Sequence, residues 1–207
     1  GLFATSLTVA SNVFLADPTP GSPNDTDYYL GQVADTRFSV DRGFFDAPFS
    51  LEISSTTPGA EIWYSFDCSE PGPGLGGRLY TGPLTITNTT VVRARAFKPG
   101  FKPSNVDTHT YLFLADVIHQ SPSGEPPPYF PASWGRNRVD YGMDPLVVAK
   151  YSLAEWREAL TQIPSLSIVT EMKNLFDPVI GIYANADGHG EEWERPASTE
   201  LLDPTNS

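Results

Sequence analysis

The chain is short of cysteine, of basic residues near its start and of long apolar runs, and each shortage excludes something. Cys68 is the single cysteine among 207 residues. No disulfide forms within the chain, and cysteine usage says nothing about its redox compartment. No apolar run approaches the ~18 residues of a membrane-spanning helix, so no membrane span is expected. The opening GLFATSLTVASNVFLA is apolar but has no basic start. It reads as strands and not as a signal peptide, and the chain begins as a fragment of something longer would. Thirteen Lys and Arg against 25 Asp and Glu leave a net charge of −12. Such a chain, without a basic stripe, does not fit a nucleic-acid partner.

The chain is rich in turn formers and in material for a core. It has 20 prolines and 17 glycines, and 40% of it is hydrophobic. That mixture favours many short strands over long helices. Charge divides it into three. Residues 1–35 hold four acids and no base, residues 36–115 seven of each, and residues 116–207 fourteen acids and six bases. The neutral middle differs in kind from its acidic flanks. We therefore read 1–35 as the end of a preceding β-domain plus an acidic linker, 36–115 as one domain, and 116–207 as a third segment. The linker DPTPGSPNDTD carries Asp17, Asn24, Asp25 and Asp27. Their spacing lacks the closing bidentate glutamate of a dedicated calcium loop, so it reads as a surface connection.

The middle segment is a series of strands. TRFSV and FSLEI flank the turn DRGFFDAP. AEIWYSF alternates, with Ile62, Tyr64 and Phe66 on one face and Trp63 and Ser65 on the other. The glycine-rich loop GPGLGG, residues 72–77, precedes RLYTGPLTI. TVVRARAF turns Val92, Ala94 and Ala96 inward and Arg93, Arg95 and Phe97 outward, and THTYLFL closes the set. Short strands at this spacing, with Gly/Pro turns between them, form a small antiparallel β-sandwich, an Ig-like architecture. Trp63, Tyr80 and Phe97 are candidates for stacking on sugar rings; in the alternative reading they belong to the core or an interface.

The third segment begins with the proline-rich SPSGEPPPYFPASWG. SLAEWREALTQIP is a helix, with a capping box from Ser152 and Glu155 and a buried stripe of Leu153, Trp156, Leu160 and Ile163. Pro164 ends it. SLSIVTEM reads as a buried strand, KNLFDP as a turn, VIGIYAN as a strand, ADGHG as a hairpin turn and EEWERPASTELL as the returning strand. The overall expectation is mainly β: the sandwich followed by an incomplete α+β segment.

Two stretches carry resemblances. PGAEIWYSFDCSEP, LYTGPLTITNTTVVRARAFKPGFKPS and THTYLF resemble the fibronectin-type-III-like module at the C-terminus of chitobiase and β-hexosaminidase, a module attached to many exported bacterial proteins. This chain has Asp67-Cys68-Ser69 where the family usually has Asp-Gly-Ser. Glycine suits that turn because it tolerates positive φ, so Cys68 sits in a strained turn or the turn type differs. VDYGMDPLVV and ALTQIPSLSIVTEMKNLFDPVIGIYANADGHGEEWERPASTELLDP resemble the opening of the CotH domain family, which includes atypical protein kinases. VFLADPTPGSPN resembles the exit of a lamin-tail-type β-domain. The CotH resemblance implies ATP and Mg for a complete domain, with the metal-binding aspartates downstream of GEEWERP. No catalytic residue and no cofactor is therefore assigned to this chain.

The acid-rich DGHGEEWERPASTEL could still be a site of its own. Alternation along one strand places Glu192, Glu194 and Glu200 on one face and Trp193, Arg195 and Leu201 on the other. A zinc site built on His189 lacks further His or Cys nearby, and Asp187, Glu191 and Glu192 lack a calcium-loop spacing. The readings that stand are a structural hairpin and a partial wall of a nucleotide site, with Trp193, Arg195 and Glu194 as wall residues. His109 and His119 belong to no cluster. The expected partners are neighbouring domains of the same polypeptide and polysaccharide; the expected location is extracellular or the cell surface.

Overall fold

The computed structural model describes residues 14–15, 21, 28–127, 130–134 and 137–204. Most of the linker, with Asp17, Asn24, Asp25 and Asp27, and most of the lamin-tail-like string lie outside the described residues. Strands β1 Phe14–Leu15 and β2 Tyr28–Tyr29 pair antiparallel. Then follow β3 Thr36–Phe38, β4 Gly43–Phe45, β5 Phe49–Leu51, β6 Ile53–Ser55, β7 Glu61–Ser65, β8 Arg78–Leu79, β9 Leu84–Ile86, β10 Thr90–Phe97 and β11 Asp107–Phe113. One layer is a five-stranded sheet in the order β4-β11-β10-β7-β8; facing it are the pairs β3–β6 and β5–β9.

The alternation in β10 explains why the layers close. Val92, Ala94 and Ala96 have no exposed surface, and they meet Leu51, Ile53 and Ile86 from the facing pairs. Each fully buried Val, Leu or Ile contributes roughly 1.5–3 kcal/mol. Tyr111 is also fully buried, and its hydroxyl donates to the Val40 carbonyl at 2.9 Å. The chain is thus mainly β, a sandwich followed by a smaller helical segment.

Two details of the sandwich differ from the sequence reading. DRGFFDAP is not only a turn: its Gly43–Phe45 is β4, parallel to β11 with Phe45 opposite Phe113. Turn formers bracket these residues, the edge of β11 supplies hydrogen-bond partners, and the Phe45 ring packs on Phe49 and Tyr111 at 4.5 and 5.5 Å. Phe66 does not join Ile62 and Tyr64 inside. Strand β7 ends at Ser65 and Phe66 is 43% exposed.

Beyond the sandwich come α1 Leu114–Ile118, the pair β12 Ser133–Trp134 and β13 Asn137–Arg138, α2 Pro145–Val148, α3 Leu153–Thr161, β14 Ser165–Val169, α4 Met172–Phe176, a 3-10 turn at Glu191–Trp193, and β15 Ser198–Leu202. The capping box on α3 forms as expected, with both Ser152–Glu155 bonds present. Its apolar stripe is not buried: Leu153 is 53% and Ile163 71% exposed. Nor is β14 a buried strand, since Leu166 and Ile168 point outward.

KNLFDP contains α4 instead of a bare turn, and VIGIYAN is a run of turns instead of a strand. The cause is Asp177. Its carboxylate accepts from the Val179 and Ile180 N–H groups at 2.8 and 3.0 Å, and its carbonyl accepts from Gly181 N–H at 2.8 Å. Those donors hold its carboxyl below the usual carboxylate range. A side chain at Gly181 would lie 2.6 Å from the backbone of Leu175 and Asp177. This local capping wins over the apolar alternation. The ADGHG hairpin therefore does not form, and β15 pairs with β14.

Candidate functional site

The sandwich meets the third segment at the outward face of β11. Thr108 and Thr110 alternate with the core-facing Tyr111 and Phe113 and carry hydroxyls to that face. On β15 the alternation turns Glu200 and Leu202 inward. Glu200 has only 1% of its side chain exposed. One carboxylate oxygen accepts from the Thr110 hydroxyl at 2.5 Å and the other from the Thr110 N–H at 3.3 Å. Arg42 lies 3.6 Å away with its guanidinium half exposed. Thr110 Oγ1 also contacts Ser167 Oγ at 2.7 Å, and the Thr108 hydroxyl donates to Ser198 at 2.9 Å. Such partners offset the cost of taking a carboxylate out of water.

Beside this contact is a cleft of about 530 Å³, whose lining includes Asp41, Arg42, Asp107, His109, Ser198 and Glu200. His109 stacks flat on Phe38, ring centroids 4.1 Å apart. Burial holds its imidazole below the ordinary value, partly offset by the charge of Glu200. Burial, with the charges of Glu200 and Asp41, pushes the Tyr111 phenol well above its usual range. Asp107 accepts from both the N–H and the hydroxyl of Thr36, at 2.8 and 2.5 Å. Both oxygens of Glu200 serve Thr110, so the arrangement joins two segments; it does not hold a free base over open space.

The acids of DGHGEEWERPASTEL do not share a face. Glu191, Glu192 and Glu194 are exposed around the 3-10 turn, while Glu200 is buried on β15. His189 Nδ1 lies 3.1 Å from the Asp187 carbonyl. Among the described residues, no group of three or more His, Cys, Asp or Glu could hold a metal ion. Trp193 and Arg195 do act together. The guanidinium lies 5.5 Å from the indole ring and donates to the carbonyls of Ile180, Glu192 and Glu194 at 2.7–2.8 Å. A Cβ on Gly188 would fall 2.4 Å from the same ring. Arg195 is thus a strut that closes its own loop, and Glu194 contributes its carbonyl.

Trp63, Tyr80 and Phe97 are not brought onto one surface. Tyr80 packs against the core, and its hydroxyl accepts from Ile53 N–H at 3.1 Å. Trp63 and Phe97 lie on the opposite, outer face of the five-stranded sheet, beside Arg95. The glycine-rich loop folds over that face: a Cβ on Gly72 would sit 2.8 Å from the Phe97 ring, and Gly77, at φ +80, 2.3 Å from the Tyr64 carbonyl. Cys68 adopts φ +62, the first of the two outcomes that Asp-Cys-Ser left open, a strained turn. Its carbonyl accepts from Arg93 at 2.7 Å, and burial pushes the thiol upward. Among the described residues, no histidine lines the groove around it.

Sequence reasoning passes over Thr110 and Arg42, whose roles depend on a partner 90 or more residues distant. It also passes over Phe66, Arg78 and Phe130, which line a groove of about 720 Å³ between the sandwich and the third segment. The only local signal is an aromatic at the end of an alternating run.

Residues 40–108 match the family model of the chitobiase/beta-hexosaminidase C-terminal domain. The match runs from just before β4 into β11. No curated protein and no solved structure matches the chain.

Proposed function

We propose that this chain is a non-catalytic accessory region of a larger exported bacterial polypeptide, in which the sandwich is a rigid mount for the segment that follows it. The observation that carries this reading is the buried Glu200 carboxylate, which ties β15 to Thr110 on the sandwich. A mount must be stable by itself and must hold its neighbour in one orientation. The single core supplies the first property and the polar seam the second. Limited proteolysis of the whole chain tests it. Glu200→Lys should expose residues 121–204 to cleavage while the sandwich survives; equal resistance in both proteins would remove the seam from the account.

The CotH-like reading of residues 116–207 extends this proposal. A complete domain of that kind would use ATP and Mg, with Trp193, Arg195 and Glu194 in or behind the wall of its site. The outward apolar residues Leu166, Ile168, Leu201 and Ile163 favour a further protein layer over this segment. Coding sequence past Ser207 without acidic metal-binding motifs would end this reading.

The second reading is a carbohydrate-binding module. The match of residues 40–108 to a domain of sugar-processing proteins favours it. Saturable binding to a glycan panel is the expected result; no binding to any glycan would remove it.

A further inference from the structure

The groove between the sandwich edge and the proline-rich stretch has the features that a sugar ring needs. Its lining includes Phe66, Asp67 and Arg78 from the sandwich and Pro127, Phe130 and Met172 from the third segment. Two of these rings are open to solvent, Phe66 at 43% and Phe130 at 37%. Both are held in place. Phe66 meets Tyr64 edge-on at 5.2 Å, and Phe130 meets Tyr141 and Phe176 edge-on at 5.6 and 5.7 Å. Rings fixed in this way lose little conformational freedom on binding.

The polar groups of the groove complement the rings. Arg78 is exposed on β8; its backbone pairs with Tyr64 on β7, and its guanidinium has no hydrogen-bond or ion-pair partner among the described residues. The Asp67 carboxylate is oriented by Ser69, whose N–H and hydroxyl both bind Oδ1. That hydroxyl bond holds the carboxyl below its ordinary range. A pyranose presents an apolar C–H face and a rim of hydroxyls. The first suits an aromatic face; the second suits a carboxylate and a guanidinium in the same wall. The volume of about 720 Å³ lies within the roughly 300–1,000 Å³ of ligand pockets. The wall pairs one acid with one base and the chain carries −12, so a neutral ligand fits better than an anionic one.

We propose that this groove binds a neutral pyranose oligosaccharide, with Phe66 and Phe130 as ring platforms and Asp67 and Arg78 binding hydroxyls. The proposal rests on the carbohydrate-binding reading and moves its site away from Trp63, Tyr80 and Phe97.

Isothermal titration calorimetry on the whole chain tests it, with chitohexaose, cellohexaose, xylohexaose and decaproline as probes. At least one oligosaccharide should bind saturably. Phe66→Ala and Arg78→Ala should each weaken that binding by about tenfold or more. The Arg78 side chain is exposed and has no partner among the described residues, so its variant should keep the parent melting temperature, and its result stands even if Phe66→Ala perturbs folding. Binding that survives Arg78→Ala but is lost in Trp63→Ala or Phe97→Ala overturns the groove and leaves the carbohydrate reading intact. No binding of any oligosaccharide removes both. Binding of decaproline alone would make the groove a peptide site and overturn the proposal.

Discussion

Glu200 and Thr110 lie 90 residues apart in sequence and share two hydrogen bonds, one to the Thr110 hydroxyl at 2.5 Å and one to its N–H at 3.3 Å. The pair marks where two segments of different charge become one object. A carboxylate with 1% side-chain exposure is costly to bury, and these donors offset that cost.

Glu200→Ala should therefore destabilise the docked segment by about 2 kcal/mol, the scale of a hydrogen bond to a charged group. Glu200→Gln keeps the shape and should cost less. Urea unfolding followed by hydrogen exchange at residues 165–202 measures both. An unchanged Glu200→Ala protein would show that the seam is held by other contacts.

The seam also predicts an inverted strand. On β14 the polar Ser167 faces Thr110, while Leu166 and Ile168 face outward at 62% and 63% exposure. Leu166→Ser should change the stability of this chain by no more than about 0.5 kcal/mol. Ser167→Leu should be the damaging one, because it forces an apolar side chain into the Thr110–Glu200 network. Melting temperatures of the two variants decide it; the reverse order would mean that the faces are assigned wrongly.

Cys68 is one of two described non-glycine residues with positive φ. Relief of that backbone strain by Cys68→Gly should stabilise the sandwich by roughly 1 kcal/mol. Cys68→Val should destabilise it, because a β-branched residue suits positive φ least. Thermal denaturation of the two variants is the measurement.

Arg195 bridges three carbonyls around the turns after α4. Arg195→Lys cannot reproduce the planar fork. It should speed protease cleavage within residues 178–195 several-fold while leaving the sandwich melting transition in place. Equal cleavage rates would mean that Trp193 and the Asp177 cap hold the loop alone.

The pH dependence carries a sign. Burial depresses the folded-state pKa of His109 below its ordinary value of 6.5. Its contribution is fully present above pH 6.5 and is lost as pH falls through that value toward the folded pKa, because the unfolded chain takes up the proton first. The melting temperature should drop between pH 7.5 and pH 5. His109→Phe should show a smaller drop, since the ring that stacks on Phe38 remains and the titrating nitrogen does not. An identical drop in both proteins would assign the effect to the carboxylates.

The sequence by itself determined the sandwich. Val92, Ala94 and Ala96 alternate with Arg93, Arg95 and Phe97, and that period of two decides which face is buried wherever the strand lies. The capping box at Ser152 and Glu155 was legible for the same reason: its parts are three residues apart. The Asp-Cys-Ser turn left two outcomes open, a strained turn or another turn type, and the positive φ of Cys68 decides between them. Tertiary structure decided the rest. Sugar-stacking candidates could be named, but the folding of Gly72 onto Phe97 and of Tyr80 onto the core separates them. The acids of residues 187–201 looked like one group because they are adjacent in the chain. The Asp177 cap and the pairing of β15 with β14 divide them, leaving four in solvent and one buried. That outcome depends on a threonine 90 residues away, and no local pattern carries such information, because the energy that decides it lies in a contact that exists only after folding.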